Sequence, residues 1–340
     1  MDAMGRPHSI YVRKTPWLYR MAANWLKNID PLDTFQIILV VVLSFAIANY
    51  VYFRWILHSN RKATLDNIES FANPDGPDGD TVILSNEHVY DEFYAKIYDM
   101  LVDGELRHKT ETNLTMGWAK SFRPEVETIK ILDVGSGTGH QVDLFKKEGV
   151  GKVVGVDASD AMVAQARKNY PKNDYRVHDI EQIGNFAAGE FNLITLYYFT
   201  YYYLRDPEMM FRNAFQWLEP GGCLVIHLVN REKFDPILES ASPFVAFSVQ
   251  KYAKERITSS KVTFDKFDYE ADFDIQGQDA EFREEFKFKT GKVRRQVQRM
   301  TMPTMEQIVG IAEQNGFTYK QFMDLTAIGY EYQFLFCFVR

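Results

Sequence analysis

The residues best suited to chemistry are an acid followed by alternating glycines, which read Asp-Val-Gly-Ser-Gly-Thr-Gly over residues 133–139. The acid ends a short apolar run that begins at Lys130, and a helix is predicted to begin near His140. Glycine is needed in such a turn because the backbone takes φ values that side chains disfavour and a ligand lies directly against it. The stretch therefore predicts a nucleotide-binding turn between a buried strand and a helix.

The spacing and charge of this turn indicate which nucleotide it binds. In the dinucleotide fingerprint G-x-G-x-x-G, the third glycine would fall at His140, one residue after Gly139. Asp133 at the strand end would repel a pyrophosphate but attract the ammonium of a methionine moiety. The charge pattern therefore favours S-adenosylmethionine (SAM).

Two further acids follow the next predicted strands. Residues 153–157 form the second strand, and its last residue, Asp157, is placed to hydrogen-bond both ribose hydroxyls. Asp179 follows the strand at residues 175–178, where it can accept from the adenine amine while Ile180 packs on the ring. The pattern predicts a complete SAM site along one sheet edge.

The segment from about Val89 to Arg340 resembles the class I SAM-dependent methyltransferases. The likeness rests on motifs in family order, namely the loop at 133–139, Asp157 with Ser159 and Met162, Asp179-Ile180, and the turn at 218–222. It implies an α/β, Rossmann-like fold whose seven-stranded, mostly parallel sheet ends in an antiparallel hairpin. The cofactor-binding residues that it implies are Asp133, Gly135, Ser136, Gly137, Thr138, Gly139, Asp157, Ala158, Met162, Asp179, Ile180 and Tyr197.

A tyrosine stripe is expected to cover the cofactor. Tyr90, Tyr94 and Tyr98 recur every four residues in a predicted helix over 86–102 and share one face. In the resembling family such a helix covers the cofactor pocket, whereas core packing is the commoner meaning of aromatic residues at this spacing. We predict that Tyr94 and Tyr98 contact the methyl acceptor.

Aromatic residues also follow the fourth predicted strand, at 197–203, where methyl donor and acceptor should meet. Aromatic faces attract a sulfonium cation and keep a substrate dry. Tyr201 is predicted to contact the acceptor and to act in catalysis. His227, on the fifth strand at 222–229, is predicted to accept a proton, with a satisfied core histidine as the alternative. The family often has an acid where this chain has Asn192.

Residues 260–302 partly alternate between apolar and polar and contain a predicted hairpin turn at Thr290-Gly291. They predict an inserted antiparallel meander whose basic residues form a solvated face. A helix over 304–314, with Thr304 and Gln307 spaced as a capping box, and strands at 317–325 and 331–339 complete the domain. An insertion at this place is most similar to small-molecule N-methyltransferases, including those acting on amino sugars.

The N-terminal part is predicted to attach the domain to a membrane. Residues 35–57 contain an almost wholly apolar stretch of about 19 residues, which suits one single-pass transmembrane helix. Residues 1–34 are a tail that forms either an interfacial helix or no fixed structure, and 58–82 are a flexible linker. The methyltransferase domain, 83–340, is expected in the cytosol because SAM is found mainly there.

The composition limits the classes of binding partner and the kinds of site that the chain can contain. The formal charge of −7 disfavours nucleic acid, and the scattered seven histidines predict no metal site. Cys223 and Cys337 are read as buried free thiols. The sequence thus predicts a membrane-anchored methyltransferase acting on a small molecule, first of all an amine. The alternatives are a lipid or quinone acceptor, or an inactive SAM-binding structural component of a membrane or viral particle.

Overall fold

The computed structural model describes residues 35–36, 38–48, 50–51, 82–102, 104–236 and 256–340. The chain divides into two compact units, residues 1–61 and 62–340. The described residues of the first unit are helical. However, no helix in the described part of the chain is both long and apolar enough to span a bilayer, so the predicted transmembrane helix is not supported. The predicted tail (1–34), residues 52–57 and the predicted linker up to residue 81 lie outside the described residues.

The second unit is built from strands and helices that alternate in its first half. Its strands are β1 (Val82–Ser85), β2 (Lys130–Val134), β3 (Lys152–Asp157), β4 (Asp174–Val177), β5 (Phe191–Leu196), β6 (Leu218–Val229), β7 (Ser259–Thr263), β8 (Phe267–Gln276), β9 (Asp279–Phe288), β10 (Val293–Thr301), β11 (Thr318–Asp324) and β12 (Gln333–Val339). Its α-helices are α1 (Glu92–Leu101), α2 (Glu105–Phe122), α3 (His140–Lys147), α4 (Asp160–Asn169), α5 (Pro207–Trp217) and α6 (Met305–Gln314).

A seven-stranded sheet in the order β11-β12-β6-β5-β2-β3-β4 forms the large layer. Strands β2 to β6 pair in parallel, whereas β12 runs antiparallel to both β6 and β11. Every residue of β5 is buried, as expected for a parallel strand that helices cover on both faces. The predicted Rossmann-like α/β fold with its C-terminal hairpin is therefore confirmed.

A five-stranded sheet in the order β1-β10-β9-β8-β7 forms a second, smaller layer. The strands β7 to β10 pair as an antiparallel meander, and β1 adds to β10 in parallel. A turn in which Phe264 N–H donates to the Phe267 carbonyl separates β7 from β8. One face of this sheet packs on α1, where Phe93 meets the rings of Phe286 and Phe288.

Two local predictions agree with the structure. The Thr304 hydroxyl accepts from Gln307 N–H while the Gln307 side chain accepts from Thr304 N–H, which is the predicted capping box of α6. Cys223 and Cys337 are buried free thiols on β6 and β12, with their Sγ atoms 3.3 Å apart.

Close packing at Gly155 makes a stability prediction. A Cβ there would lie 2.8 Å from both Tyr175 Cδ1 and Val142 Cγ2, so Gly155→Ala forces β3 away from its neighbours. We expect it to lower the free energy of unfolding by about 1–3 kcal/mol in urea titrations. Gly117→Ala is the matched control, since nothing lies within 4 Å of its Cβ on α2, and it should stabilise by about 0.5–1 kcal/mol. Equal effects of the two changes would contradict the packing described here.

Candidate active site

A cavity of about 700 Å³ lies at the carboxyl ends of β2 and β3, beneath α1. All of the predicted cofactor residues except Gly139 line it. Gly139 lies behind the cavity wall instead, where a Cβ would come within 2.6 Å of the Tyr175 hydroxyl. Packing against Tyr175 therefore requires a glycine here, and contact of Gly139 with the cofactor stays a prediction.

The glycine loop lies close to its neighbours and has an unusual backbone. Gly135 has φ +66°, and a Cβ there would lie 2.5 Å from Thr200 Oγ1. Gly137 has φ +53° and lies beneath Tyr98, whose Cε1 would be 4.0 Å from an added Cβ. Any larger residue at Gly135 would displace the turn after β5, so glycine there keeps the loop against it.

Asp157 joins the glycine loop to the start of α4. Its Oδ2 accepts from Gly137 N–H at 2.9 Å, and its Oδ1 accepts from Ser159 N–H at 2.9 Å. Burial raises the pKa of Asp157, and these two backbone bonds oppose that effect. The carboxylate is held in one orientation and each oxygen keeps a lone pair for a ligand hydroxyl.

Asp133 is the group whose surroundings most need a ligand. It is 2% exposed, and its Oδ1 accepts from Thr195 Oγ1 at 2.7 Å. Its Oδ2, and Ser136 Oγ beside it on the loop, have no hydrogen-bond partner among the described residues. Burial raises the pKa of Asp133 to about 7. An enclosed carboxylate oxygen without a donor is costly, so an ammonium in the cavity would satisfy it.

The other end of the cofactor region is formed after β4. Asp179 Oδ1 accepts from Glu181 N–H at 2.9 Å, and its Oδ2 lies 3.3 Å from the Arg205 guanidinium. Ile180 and Met162 are buried side chains at the same wall. A carboxylate beside two apolar side chains suits the amine edge and the faces of an adenine ring.

Arg107 is a site residue that the sequence analysis missed. It lies in the first turn of α2, is 2% exposed, and places its guanidinium 4.2 Å from the centre of the Tyr198 ring at the cavity wall. Its Nη1 donates to Glu111 Oε2 at 3.3 Å. Helix α2 lacks a clear apolar stripe, so its buried face could not be predicted from the sequence. The burial of Arg107 at the cavity therefore could not be predicted either.

Tyr94 and Tyr98 of α1 line the cavity, together with Tyr90, which lies just before the helix begins. Tyr94 and Tyr98 are therefore where the sequence placed them, although their contact with an acceptor stays a prediction. Burial raises the pKa of Tyr98 to about 12, so its hydroxyl stays neutral at physiological pH.

Tyr201 does not line the cavity. It is 1% exposed, packs on Phe211 in the core, and its hydroxyl has no hydrogen-bond partner in the described part of the chain. The reason is the 3-10 turn at Thr200–Tyr203, which directs Tyr203 to the cavity and Tyr201 away from it. The geometry does not fit the predicted contact of Tyr201 with the acceptor.

His227 is also away from the cavity. It is 0% exposed, with Nδ1 2.8 Å from Glu111 Oε1 and Nε2 3.1 Å from Gln333 Oε1. Because both ring nitrogens are already engaged, the placement favours the alternative of a core histidine over a proton acceptor.

Asn192 lies far from the chemistry. It is near the start of β5, and its Oδ1 accepts from Lys130 N–H at 2.6 Å at the opposite end of the sheet from the cavity. The absence of an acid at this position therefore does not alter the cofactor site.

Comparisons with known proteins agree with this geometry. Residues 132–226 match the family described as a methyltransferase domain. Juvenile hormone acid O-methyltransferase from Bombyx mori is 33% identical over 115 residues, which cover 31% of this chain and 40% of that protein. The chain thus spans less than half the length of this curated relative.

Solved structures show the same fold. A SAM-dependent methyltransferase from Clostridium acetobutylicum has a TM-score of 0.55 at 16% identity, over 72% of this chain and 97% of its own. A sugar N-methyltransferase from Streptoalloteichus has a TM-score of 0.53 at 21% identity, over 72% and 92%. The chain therefore carries a segment that matches a methyltransferase domain and has the fold of SAM-dependent methyltransferases, and the acids that line its cavity fit SAM as the cofactor.

Proposed function

We propose that the protein transfers a methyl group from SAM to a small-molecule acceptor, an amine. The observation that carries the proposal is that one cavity combines the acids and glycines of a SAM site with a wall of tyrosines. When bound, SAM supplies an electrophilic methyl group on a sulfonium. The protein then has to hold the donor and the acceptor in line, and this positioning can supply most of the acceleration.

Charged groups with defined hydrogen-bond partners bind the methyl donor in this proposal. Asp133 offers its unpaired Oδ2 to the methionine ammonium, and Asp157 offers its two oriented oxygens to the ribose hydroxyls. Arg107 is placed on the same cavity wall to attract the methionine carboxylate. Asp179 takes the adenine amine. These roles fit the donor and acceptor chemistry of each group.

The acceptor side is formed by α1 and the smaller sheet. Tyr90, Tyr94, Tyr98 and Tyr203 line the cavity with Gln298 of β10. These groups are neutral and polar within aromatic walls, so they exclude water while orienting a polar acceptor. The fold shared with a sugar N-methyltransferase supports an amine. A lipid or quinone acceptor is a rival proposal that the same aromatic walls would admit.

Protonation of Asp133 makes a pH prediction. Because the pKa of Asp133 is raised to about 7, its carboxyl takes up a proton as the pH falls through that value and the bound ammonium loses its counter-charge. We expect SAM affinity, measured by calorimetry, to fall roughly five- to tenfold from about pH 7.5 to about pH 6. Asp133→Asn should bind more weakly and show a flat profile over this range. An Asp133→Asn variant with wild-type SAM affinity and pH dependence would show that Asp133 does not bind SAM.

Paired tyrosine changes test the acceptor wall. Tyr98→Phe removes a hydroxyl at the cavity, and Tyr201→Phe removes one in the core. In a screen of amines, alcohols, acids and lipids with radiolabelled SAM, we expect methyl transfer to an amine. Tyr98→Phe should lower kcat/KM by about tenfold, and Tyr201→Phe should change it by less than about twofold. Transfer to none of these classes by a protein that binds SAM would contradict the proposed function.

Membrane attachment through residues 35–57 is a separate proposal. Its support is the apolar sequence and the exposure of large side chains on the described helical residues, such as Phe35 at 64% and Ile47 at 61%. We expect the full chain to stay in the membrane pellet after alkaline extraction, and Val41→Lys with Ile47→Lys to release it, since each charge costs about 3 kcal/mol in a bilayer. Release of the wild-type chain into the supernatant would contradict attachment.

A further inference from the structure

Buried polar residues occupy the inward face of the smaller sheet, where alternation calls for apolar ones. On β10, Arg294 is 1%, Gln296 0% and Gln298 1% exposed, and on the neighbouring β9 Glu284 is 2% exposed. Four polar side chains at core positions are costly unless each is hydrogen-bonded. Their bonds form one connected chain that ends at the cavity.

Arg294 fixes the direction of this chain, because a guanidinium only donates hydrogen bonds. Its Nε donates to Gln296 Oε1 at 2.9 Å. The Gln296 amide must then present its nitrogen to the next group, and Nε2 donates to Glu284 Oε2 at 2.6 Å. The orientation of Gln296 thus follows from the arginine and requires Glu284 to accept.

Glu284 in turn fixes the orientation of the Gln298 amide at the cavity wall. Its carboxylate accepts from Gln296, from Tyr94 and Tyr269 hydroxyls at 2.9 and 2.7 Å, and from Gln298 Nε2 at 2.7 Å. With its nitrogen facing Glu284, the Gln298 amide turns its oxygen the other way. A flipped amide would set its oxygen against the carboxylate, which is repulsive.

Two cavity tyrosines donate hydrogen bonds to the oriented Gln298 amide. Tyr90 and Tyr203 both donate their hydroxyl hydrogen to Gln298 Oε1, at 2.8 and 2.5 Å. A phenol has one hydrogen, so each of these oxygens retains only lone pairs for a ligand. Tyr94 is in the same position, since it donates to Glu284 and accepts from Gln298 at 3.2 Å. The wall therefore offers acceptors and no hydroxyl donors from these three residues.

We infer that this relay of Arg294, Gln296, Glu284 and Gln298 makes the acceptor end of the cavity specific for a molecule that presents an N–H donor to Tyr90 and Tyr203, and that it rejects a carboxylate. The inference rests on the proposed function and names the residues that determine its specificity. Glu284 and Gln298 act as positioning residues, because they act on the ligand through the tyrosines.

Charge favours an amine over an alcohol. Arg294 is already paired with the Asp91 carboxylate at 2.7 Å, and the four bonds to Glu284 come from neutral groups. The relay is neutral overall, but its positive end at Arg294 is paired with Asp91, whereas its negative end at Glu284 bonds directly to Tyr94 and Gln298 at the cavity wall. Burial raises the pKa of Glu284, and the four hydrogen bonds that it accepts oppose this and favour the carboxylate. In a dry site this charge attracts an ammonium and repels a carboxylate, whereas it is indifferent to a neutral hydroxyl.

The test measures binding of matched probes to the full chain saturated with S-adenosylhomocysteine. The probes are benzylamine, benzyl alcohol and benzoate, and the trio phenethylamine, phenethyl alcohol and phenylacetate. We expect each amine to bind at least about tenfold more tightly than its carboxylate, with the alcohol between them. Glu284→Gln should reduce this preference by about tenfold, because it removes the charge and frees the Gln298 amide to turn. Glu285→Gln is the matched control on the outward face of β9, and it should keep the wild-type preference.

Carboxylates that bind as tightly as amines, no probe binding, or an unchanged preference in a folded Glu284→Gln variant would each overturn the inference. Should Glu284→Gln fail to fold, Tyr203→Phe removes one cavity acceptor without touching the buried charge, and it should still weaken the amines selectively. Binding of S-adenosylhomocysteine itself distinguishes failure of the proposed function from failure of this inference. A folded wild-type chain that does not bind it contradicts the proposed function, whereas a chain that binds it and prefers carboxylates contradicts only this specificity.

Discussion

The carboxylate of Asp157 is the constraint on which the rest of the site depends. It accepts from the backbone of Gly137 and of Ser159, so it ties the glycine loop after β2 to the start of α4. The Ser159 hydroxyl in turn caps α4 by accepting from Met162 N–H and donates to the Tyr90 carbonyl at 2.6 Å. One junction therefore fixes both the cradle for the methyl donor and the tyrosine helix that covers it.

This junction explains why the glycine loop and the tyrosines proposed for the acceptor side line a single cavity. Helix α1 is held over the loop by Ser159 at one end and by the bond from Thr138 Oγ1 to Asp99 at the other. The smaller sheet packs on the other side of the same helix and supplies Gln298 and its buried supports. A change in any of these layers would alter the alignment on which methyl transfer depends.

Most of the cofactor residues predicted from the sequence line one cavity, because the sequence signals that mark them are local. Alternating glycines, an acid at a strand end and a capping serine lie within a few residues of one another, and each has a short-range physical reason. The surroundings of Tyr201 and His227 could not be predicted, for the opposite reason. The 3-10 turn at Thr200–Tyr203 changes which tyrosine points to the cavity, and the partner of His227 is Glu111, which is 116 positions away.

The smaller sheet shows the same limit. Its strands were predicted from partial alternation, with the basic residues expected on a solvated face, but Arg294 is buried together with Gln296 and Gln298. Their burial depends on Tyr90, 208 positions from Gln298, and on Glu284 of the adjacent strand. Contacts between residues so far apart cannot be recognised in a single sequence. The polar residues of the relay are therefore predicted to form a solvated face.

Calorimetric titration of SAM into the full chain and into Asp157→Ala tests the central claim most directly. If Asp157 organises the donor site, the wild-type chain binds SAM with micromolar affinity, and the variant remains folded by circular dichroism but loses measurable binding. A folded wild-type chain that releases no heat with SAM, or a variant that binds as well as the wild type, would contradict the account.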